Sequence, residues 1–531
     1  MPYPYKTIRD WILEEEKLGN VLRIKTPIKC GDYDNIVDIG NGIPGKIPET
    51  EVRAVVRYLH SLPGKPMGII EKPVNNRPDI PVVVNPWGTR ERTLRGMGLK
   101  NKDELAKKFA AILANRIKPV KVPKAKASCK AVIIPKERLD LRKDIPRVWV
   151  EFNQLLWTGC NGTWVTYDPD SETHGMAKTR LGLFEWKQAN PNTPYPEGRV
   201  RQYGFATVAF PAPGQGNAAR RYHENYKSKN QPMPCAFVFG LPTDVHVVAA
   251  NKSSLRWPET GDEYEILGGF RGEPIEIVES ETIPGLMVPA RAEWVVEGEF
   301  LPEAEVTPLY GEDQFIGHMV GEYPWPVFRV KCITHQKQPW WTATTFSSSG
   351  LNGHEGPHTG LVYTHAETEA ISYLRGLGFK VKDVVKTGGA SVTVIQTEVD
   401  GVDKPSPDYG KKVAKALSER DSLSIYIIVV GPDIDPYDRT DVLWAIGLRA
   451  WPVTDSILTT KGLLHTTAKD VTPGGKAGKL AFLQGLAHQE QILIDALIKF
   501  PERFSEWAPR SDPPEWEREA IKRIKERIGP G

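Results

Sequence analysis

The chain carries little cysteine for its length: Cys30, Cys129, Cys160, Cys235 and Cys332 are the five among 531 residues. They are scattered, odd in number and nowhere spaced as CxxC. That pattern argues against a disulfide framework and against cysteine-bound zinc or iron–sulfur centres. It suits a reducing compartment, and the cytoplasm is the expected location. No run of about 20 apolar residues is present, so no membrane-spanning helix is expected. Met1 to Asp10 lacks the apolar core of a secretory signal, and the Asn161-Gly162-Thr163 sequon is therefore read as chance. Neither charge is in excess: Lys+Arg is 69, Asp+Glu is 66, and the net charge is +3. That balance argues against nucleic acid and against an anionic membrane as partners.

What remains is ordinary globular composition, 40% apolar and 25% charged. At roughly 150 residues per domain the length suggests three or four domains. Thr7 can cap a helix with an apolar face of Ile8, Trp11, Ile12 and Leu18, stopped by Gly19. Val21 to Ile24 and Val82 to Val84 read as strands, and Leu105, Phe109, Ile112 and Leu113 mark a second helix. The Pro/Lys-rich stretch 118–126 reads as a linker. Its basic run (Lys118, Lys121, Lys124, Lys126, Lys130) is expected to be solvated, with a phosphate or CoA contact as the sharper alternative. From about 128 to 330, short β-rich runs separated by Pro and Gly favour a barrel or sandwich. Beyond about 340 helices and strands alternate. Ala366–Leu374 and Lys411–Leu417 look helical, and Val392–Val399 looks like a strand. Ser424–Val430 suits a strand buried on both faces. Leu480 to Ile494 reads as a helix, and the C-terminus as an amphipathic helix.

Three local motifs invite chemistry and do not sustain it. His354-Glu355-Gly356-Pro357-His358 matches HExxH, but Pro357 and the flanking glycines break the helix that a zincin needs. Gly474–Lys479 is one residue short of a P-loop, with Leu480 in place of the magnesium-binding hydroxyl. Gly268-Gly269-Phe270-Arg271-Gly272 lacks the strand–helix context of a dinucleotide fingerprint.

Longer stretches are more specific. They are Val84-Asn85-Pro86-Trp87-Gly88-Thr89-Arg90 with Gly96-Met97-Gly98; Asp262-Glu263-Tyr264 leading into Gly268–Gly272; Val288–Glu293 with Val296-Glu297-Gly298; and Gly431–Asp435 with Asp441–Ile446. In this order they resemble the UbiD family of aromatic and α,β-unsaturated acid decarboxylases, over about residues 7 to 480. The resemblance implies an α/β N-terminal domain (1–118), a central split β-barrel of flavin-reductase type (119–335) and a C-terminal α/β oligomerisation domain (336–531). It also implies prenylated FMN, potassium and a divalent metal, manganese or iron. Losing CO2 from an aromatic carbon leaves an unstable sp2 carbanion, so an electron sink and a proton donor are both required. No ordinary side chain is such a sink, so the flavin is inferred from the family.

The resemblance transfers unevenly to the site. Thr307-Pro308-Leu309-Tyr310-Gly311-Glu312 matches the family's catalytic-carboxylate stretch, so Glu312 is the expected proton donor and Thr307 replaces the first carboxylate. Thr173-His174-Gly175-Met176-Ala177-Lys178 matches the Asn-x-Gly-x-x-Arg pattern, with Lys178 for the Arg and Thr173 for the metal-binding Asn. Lys keeps the charge and loses the planar two-point grip. Arg180, two positions on along a strand, shares a face with Lys178 and can supply the guanidinium. Glu263 matches the metal-binding Glu. The metal-binding His would fall within 214–217, where Gln215 or Asn217 is the nearest ligand. Thr173, His174, Met176, Gln215, Asn217, Glu263 and Arg449 are the positions matched to the cofactor; Glu263, Asn217 and Thr173 are those matched to the metal. Loss of the usual Asn and His points to a weaker hard-cation site or potassium alone. Trp340 and Trp341, with Phe346, are candidates to line an aromatic pocket.

The implied activity is removal or addition of CO2 at a ring carbon of an aromatic acid, aryl-CoA ester or arene, in a branch similar to phthaloyl-CoA decarboxylases and anaerobic arene carboxylases. Expected partners are the small aromatic substrate and CO2, a flavin prenyltransferase that supplies the cofactor, and further copies of the chain as a homodimer or homohexamer. Two other readings remain: a helper subunit among other carboxylase subunits, and a phenol-type carboxylase that uses no flavin.

Overall fold

The computed structural model describes residues 3–40, 43–112, 114–149, 156–183, 203–206, 225–250, 261–306, 311–312, 319–320, 325–344, 359–387, 392–421, 424–462, 488–499 and 515–528. The first helix, Ile8–Lys17, starts as its sequence demands. Thr7 accepts from the Asp10 amide, Asp10 accepts from the Thr7 amide, and Ile8, Trp11 and Ile12 are buried. Gly19, at φ +76°, turns the chain into the strand Val21–Ile24. That strand lies parallel to Met67–Ile70, which pairs antiparallel with Val82–Val84. The fourth strand of this sheet, Trp341–Ala343, comes from far along the chain and runs parallel to Val82–Val84. Trp341 is therefore core, and it packs edge-to-face on Trp294.

Residues 118–130 are more than a linker. Val120–Lys121 joins Glu276–Glu279 as a parallel edge strand. Three of its five lysines meet carboxylates: exposed Lys121 with Glu279 at 3.4 Å, exposed Lys124 with Glu281 at 2.8 Å, and buried Lys130 with Glu297 at 3.0 Å. A buried ammonium needs such a partner.

The central sheet is antiparallel, in the order Tyr203–Ala206, Thr173–Leu183, Leu156–Asp168, Met233–Phe239, Trp294–Val306, Trp325–His335, Val132–Pro135. Tyr203–Ala206 pairs with Trp325–His335 as well, so the pairings run round six strands. The two-residue period of a strand separates two cores. Cys235, Phe237 and Phe239 join one with Trp164, Phe300 and Phe328, whereas Ala236 and Val238 join the other. Edge-to-face contacts order the first core, Phe237 on Phe328 at 4.8 Å and Trp164 on Phe300 at 5.1 Å.

The C-terminal sheet has the order Val381–Thr387, Val392–Thr397, Tyr426–Val430, His488–Ala496, Ser456–Gly462. As its β-branched run suggests, Tyr426–Val430 is buried on both faces. Ile427 and Val429 meet the helix Tyr409–Ser418, and Ile428 and Val430 meet the helix Arg439–Arg449. The expected helix to Ile494 is a strand instead. His488–Ala496 sits between two neighbours, parallel to one and antiparallel to the other. Ile492-Leu493-Ile494 is apolar at every position, which suits a strand covered on both sides as well as a helix, so period alone misleads. The C-terminal helix spans Glu515–Ile528. No helix among the described residues is long and apolar enough to cross a membrane.

Glu367, fully buried on the helix Thr359–Gly376, fastens this part to the first. It accepts from Arg90 at 2.7 Å, from Lys102 at 3.1 Å and from the Lys386 amide at 2.7 Å.

Candidate active site

The strand Thr173–Leu183 and the helix Glu263–Arg271 meet at a polar, buried corner. Asp262 caps the helix, accepting from the Tyr264 amide at 2.8 Å. The same carboxylate accepts from the His174 amide at 3.0 Å and faces His174 Nδ1 at 2.8 Å. His174 Nε2 accepts from the Met287 amide at 3.0 Å. The proton therefore sits on Nδ1 and is donated to Asp262. Burial works to raise the Asp262 carboxyl, but the hydrogen bonds from His174 outweigh it and hold it below its ordinary range. Glu263, the next residue, accepts from the Met176 amide. Two stretches that the resemblance assigned to one site, 87 residues apart, thus touch.

The individual residues fare differently. Thr173 is buried, with its hydroxyl 2.8 Å from that of Ser171. The Met176 side chain is buried in the apolar core, so its polar contribution is its amide. Both His174 ring nitrogens are engaged within the protein, so the ring braces this corner. Lys178 pairs with Thr163 in the strand ladder. Arg180 lies opposite a bulge, where the register shifts between Gly159 and Gly162. Glu312 ends the two-residue strand Gly311–Glu312, in register with Met319. Thr307, Gln215 and Asn217 lie outside the described residues, as do Phe346 and the stretches 354–358 and 474–479.

Arg449 is engaged with carboxylates of the C-terminal part. It makes a two-point pair with Asp433, at 3.0 and 2.6 Å, stands 3.7 Å from Asp400, and lies 5.0 Å from the centre of the Trp444 ring. That is a structural ion pair beneath the C-terminal sheet. Gly268 and Gly269 serve packing: a Cβ on either would run into a carbonyl oxygen, of Ile117 and Asn115 respectively. They let residues 115–117 cross the helix closely. Among the described residues no group of three or more His, Cys, Asp or Glu is placed to hold a metal ion. Cys30, Cys129 and Cys332 are buried, and burial pushes each thiol up to about 12, which leaves them unreactive. Asp262 is the residue that sequence reasoning missed. An Asp just before a helix is a cap signal, but its partner His174 is 88 residues away.

Comparison with known proteins identifies the family. Residues 197–349 match the 3-octaprenyl-4-hydroxybenzoate carboxy-lyase Rift-related domain, and residues 368–483 match the C-terminal domain of the same carboxy-lyase. Together the two matches span just over half of the chain. Ferulic acid decarboxylase 1 of Saccharomyces cerevisiae is 25% identical over 350 residues, 64% of this chain and 63% of that protein. An evolved dimeric form of the UbiD-class enzyme HmfF from Pelotomaculum thermopropionicum, in complex with prFMN, superposes with a TM-score of 0.70 at 20% identity, over 93% of this chain and 95% of that one. The apo 3,4-dihydroxybenzoic acid decarboxylase of Klebsiella pneumoniae gives 0.71 at 20%, over 97% and 99%. With both family domains matched in order and the fold shared almost from end to end, the chain belongs to the UbiD family of carboxy-lyases.

Proposed function

We propose that the chain is a prenylated-FMN-dependent decarboxylase or carboxylase acting on an aromatic ring carbon of an aromatic acid, aryl-CoA ester or arene. The observation that carries this is the contact between the Met176 amide and Glu263, which joins the strand of Lys178 to the helix of Glu263. The names of the relatives, decarboxylases of ferulic and 3,4-dihydroxybenzoic acids, support the substrate class. The domains are 1–118, 119–335 and 336–531, with Trp341–Ala343 returning to the first sheet. The six strands paired in sequence are the split barrel of the family.

The prFMN complex of HmfF supports the cofactor. The donors at the corner, the Glu263 carboxylate and the Thr173 hydroxyl, are buried hard oxygens. They fit potassium beside a flavin phosphate. Gln215 and Asn217, matched to the metal-binding His, lie outside the described residues, so the cation proposed at the Glu263 corner is potassium. When bound, the modified flavin supplies the sink for the charge left on the ring carbon. The chain's own part is narrower. Lys178 and Arg180 hold the carboxylate of the substrate, and Glu312 delivers the proton. Thr307, at the position matched to the family's first carboxylate, does not ionise near neutral pH, so that position supplies no acid proton.

Leu443 and Leu448 on the helix Arg439–Arg449, Trp451 and Val453 just after it, and Leu458 on the strand Ser456–Gly462 are exposed apolar side chains, which supports a homodimer built on this part of the chain. The test is co-expression with a flavin prenyltransferase, anaerobic purification, and absorbance and mass of the bound pigment, followed by CO2 exchange into aromatic acids. A protein that emerges without the modified flavin refutes the reading.

A further inference from the structure

A short loop, 280–286, joins the strands Glu276–Glu279 and Met287–Pro289. Side chains take up its amides. The Glu281 and Thr282 amides donate to the Glu297 carboxylate at 2.9 Å, and the Ile283 amide donates to the Ser280 hydroxyl at 3.0 Å. The hydroxyls of Ser280 and Thr282 donate to Glu297 in turn, at 2.6 and 2.9 Å, and buried Lys130 adds its ammonium at 3.0 Å. Glu297 is fully buried, on the central-sheet strand Trp294–Val306. A carboxylate offers about four lone-pair sites, and these donors use them up. Backbone groups need partners when they leave water, so the shape of the loop depends on this one carboxylate.

The other end of the loop meets the candidate active site. The Met287 amide donates to His174 Nε2 at 3.0 Å, and the Met287 carbonyl accepts from the Tyr264 hydroxyl at 2.9 Å. Gly285 presses on Tyr167 so closely that a Cβ there would lie 2.6 Å from the ring. The His174 ring sits 5.0 Å from Tyr167 and 5.1 Å from Tyr264, centre to centre. Three neighbours of His174 are therefore placed by this one loop. His174 in turn donates to Asp262, which caps the helix that begins at Glu263.

We propose that Glu297 is a positioning residue for the candidate active site. By holding the loop 280–286 it fixes His174 and, through Asp262, the place of the Glu263 carboxylate. The consequence for binding rests on the reading that the Glu263 corner faces the flavin.

The test uses the full chain. Glu297→Gln combined with Lys130→Met removes both buried charges together, so neither is left unpaired. Protection of the Met287 amide against hydrogen exchange is expected to fall about tenfold or more, while protection along Met233–Phe239, which pairs with the strand of Glu297, stays within about threefold of the parent. FMN affinity, read by quenching of flavin fluorescence, is expected to fall fivefold or more. Thr282→Val, at an exposed position, removes a single donor and should lower both readouts about threefold, whereas Thr282→Ser keeps the hydroxyl and should match the parent. Met287 protection within twofold of the parent in the paired variant and in Thr282→Val overturns the proposal. So does an equal loss along Met233–Phe239, which would make Glu297 a brace of the sheet alone, and so does lost Met287 protection with FMN affinity unchanged. A parent chain that binds no FMN refutes the flavin reading, and the hold of Glu297 on His174 then stands or falls on Met287 protection alone.

Discussion

Replacing His174 with Ala tests the corner most directly. His174 donates Nδ1–H to a carboxylate at 2.8 Å and accepts the Met287 amide at 3.0 Å, and it is buried. A hydrogen bond to a charged group contributes about 1.5–3 kcal/mol and a neutral one about 0.5–1.5 kcal/mol. Loss of the ring also strands the Asp262 carboxylate and the Met287 amide away from water. The expected local destabilisation is about 2–4 kcal/mol. Unfolding of a chain this long is not all-or-none, so the readout is hydrogen exchange at the Met287 amide. At about 1.4 kcal/mol per decade, its protection should fall roughly 30- to 700-fold. Asp262→Asn should cost less, because Asn still caps the helix and still offers an oxygen to the ring. FMN affinity should fall in the same order, since Glu263 follows Asp262 directly. His174→Ala with Met287 protection within threefold of the parent would show that the imidazole is not a strut. The derivation of the corner would then be wrong.

Glu367→Gln should destabilise the junction between the first and last domains by about 3–5 kcal/mol, because it leaves Arg90 buried without its carboxylate; hydrogen exchange at the Lys386 amide, which donates to Glu367, compared between parent and variant, measures it. The same carboxylate gives an acid-side pH dependence. Burial pushes its pKa up, but Arg90 and Lys102 outweigh that and hold it below the ordinary range. Its contribution is thus complete above the unfolded value of about 4.3 and is lost as pH falls through the lower folded value. Stability of the Gln variant should lack that fall. Gly268→Ala should cost about 1–3 kcal/mol, since the new methyl meets the backbone carbonyl of Ile117, which has no rotamer to escape by; thermal denaturation reads it. Glu312→Gln should lower turnover by about 10²–10⁴-fold with pigment content unchanged, and full turnover in that variant would remove Glu312 as the proton donor.

Much of the fold was legible because local and global preferences agree. Thr7 and Asp10 announce a helix start, and the run 426–430 announces a strand covered on both faces. The misreading at 488–496 has a physical source. Its apolar residues come as one block, Ile492-Leu493-Ile494 after polar 488–491, which has neither period, and only its neighbours in the sheet decide between helix and strand. The basic run at 118–130 misled at one residue, for a related reason. Lys118, Lys121, Lys124 and Lys126 are solvated as expected, but Lys130 is buried against Glu297, which arrives from more than 150 residues away. At the site, residue types carried by the resemblance placed Glu263 and the Thr173–Lys178 strand correctly together. They could not show that Asp262 and the Met287 amide consume both nitrogens of His174, or that Asp433 has claimed Arg449, because partner choice is tertiary.

This division explains how the chain can depart from its family's usual ligands and keep the family's corner. The hydrogen bonds that set the angle between strand and helix run from Asp262 to His174 and Tyr264, and from Met176 to Glu263. Apart from Glu263, none of those groups is asked to bind a metal. On the proposed reading, Thr173 and Lys178 in place of the family's Asn and Arg alter what the corner can hold without loosening the corner. A guanidinium fixes a carboxylate at two points, whereas an ammonium attracts it as a single charge and leaves its orientation open. Specificity at such a site must then come from the shape of the cleft more than from the grip on the carboxylate, and substrates differing in ring size should separate more sharply than substrates differing in carboxylate position.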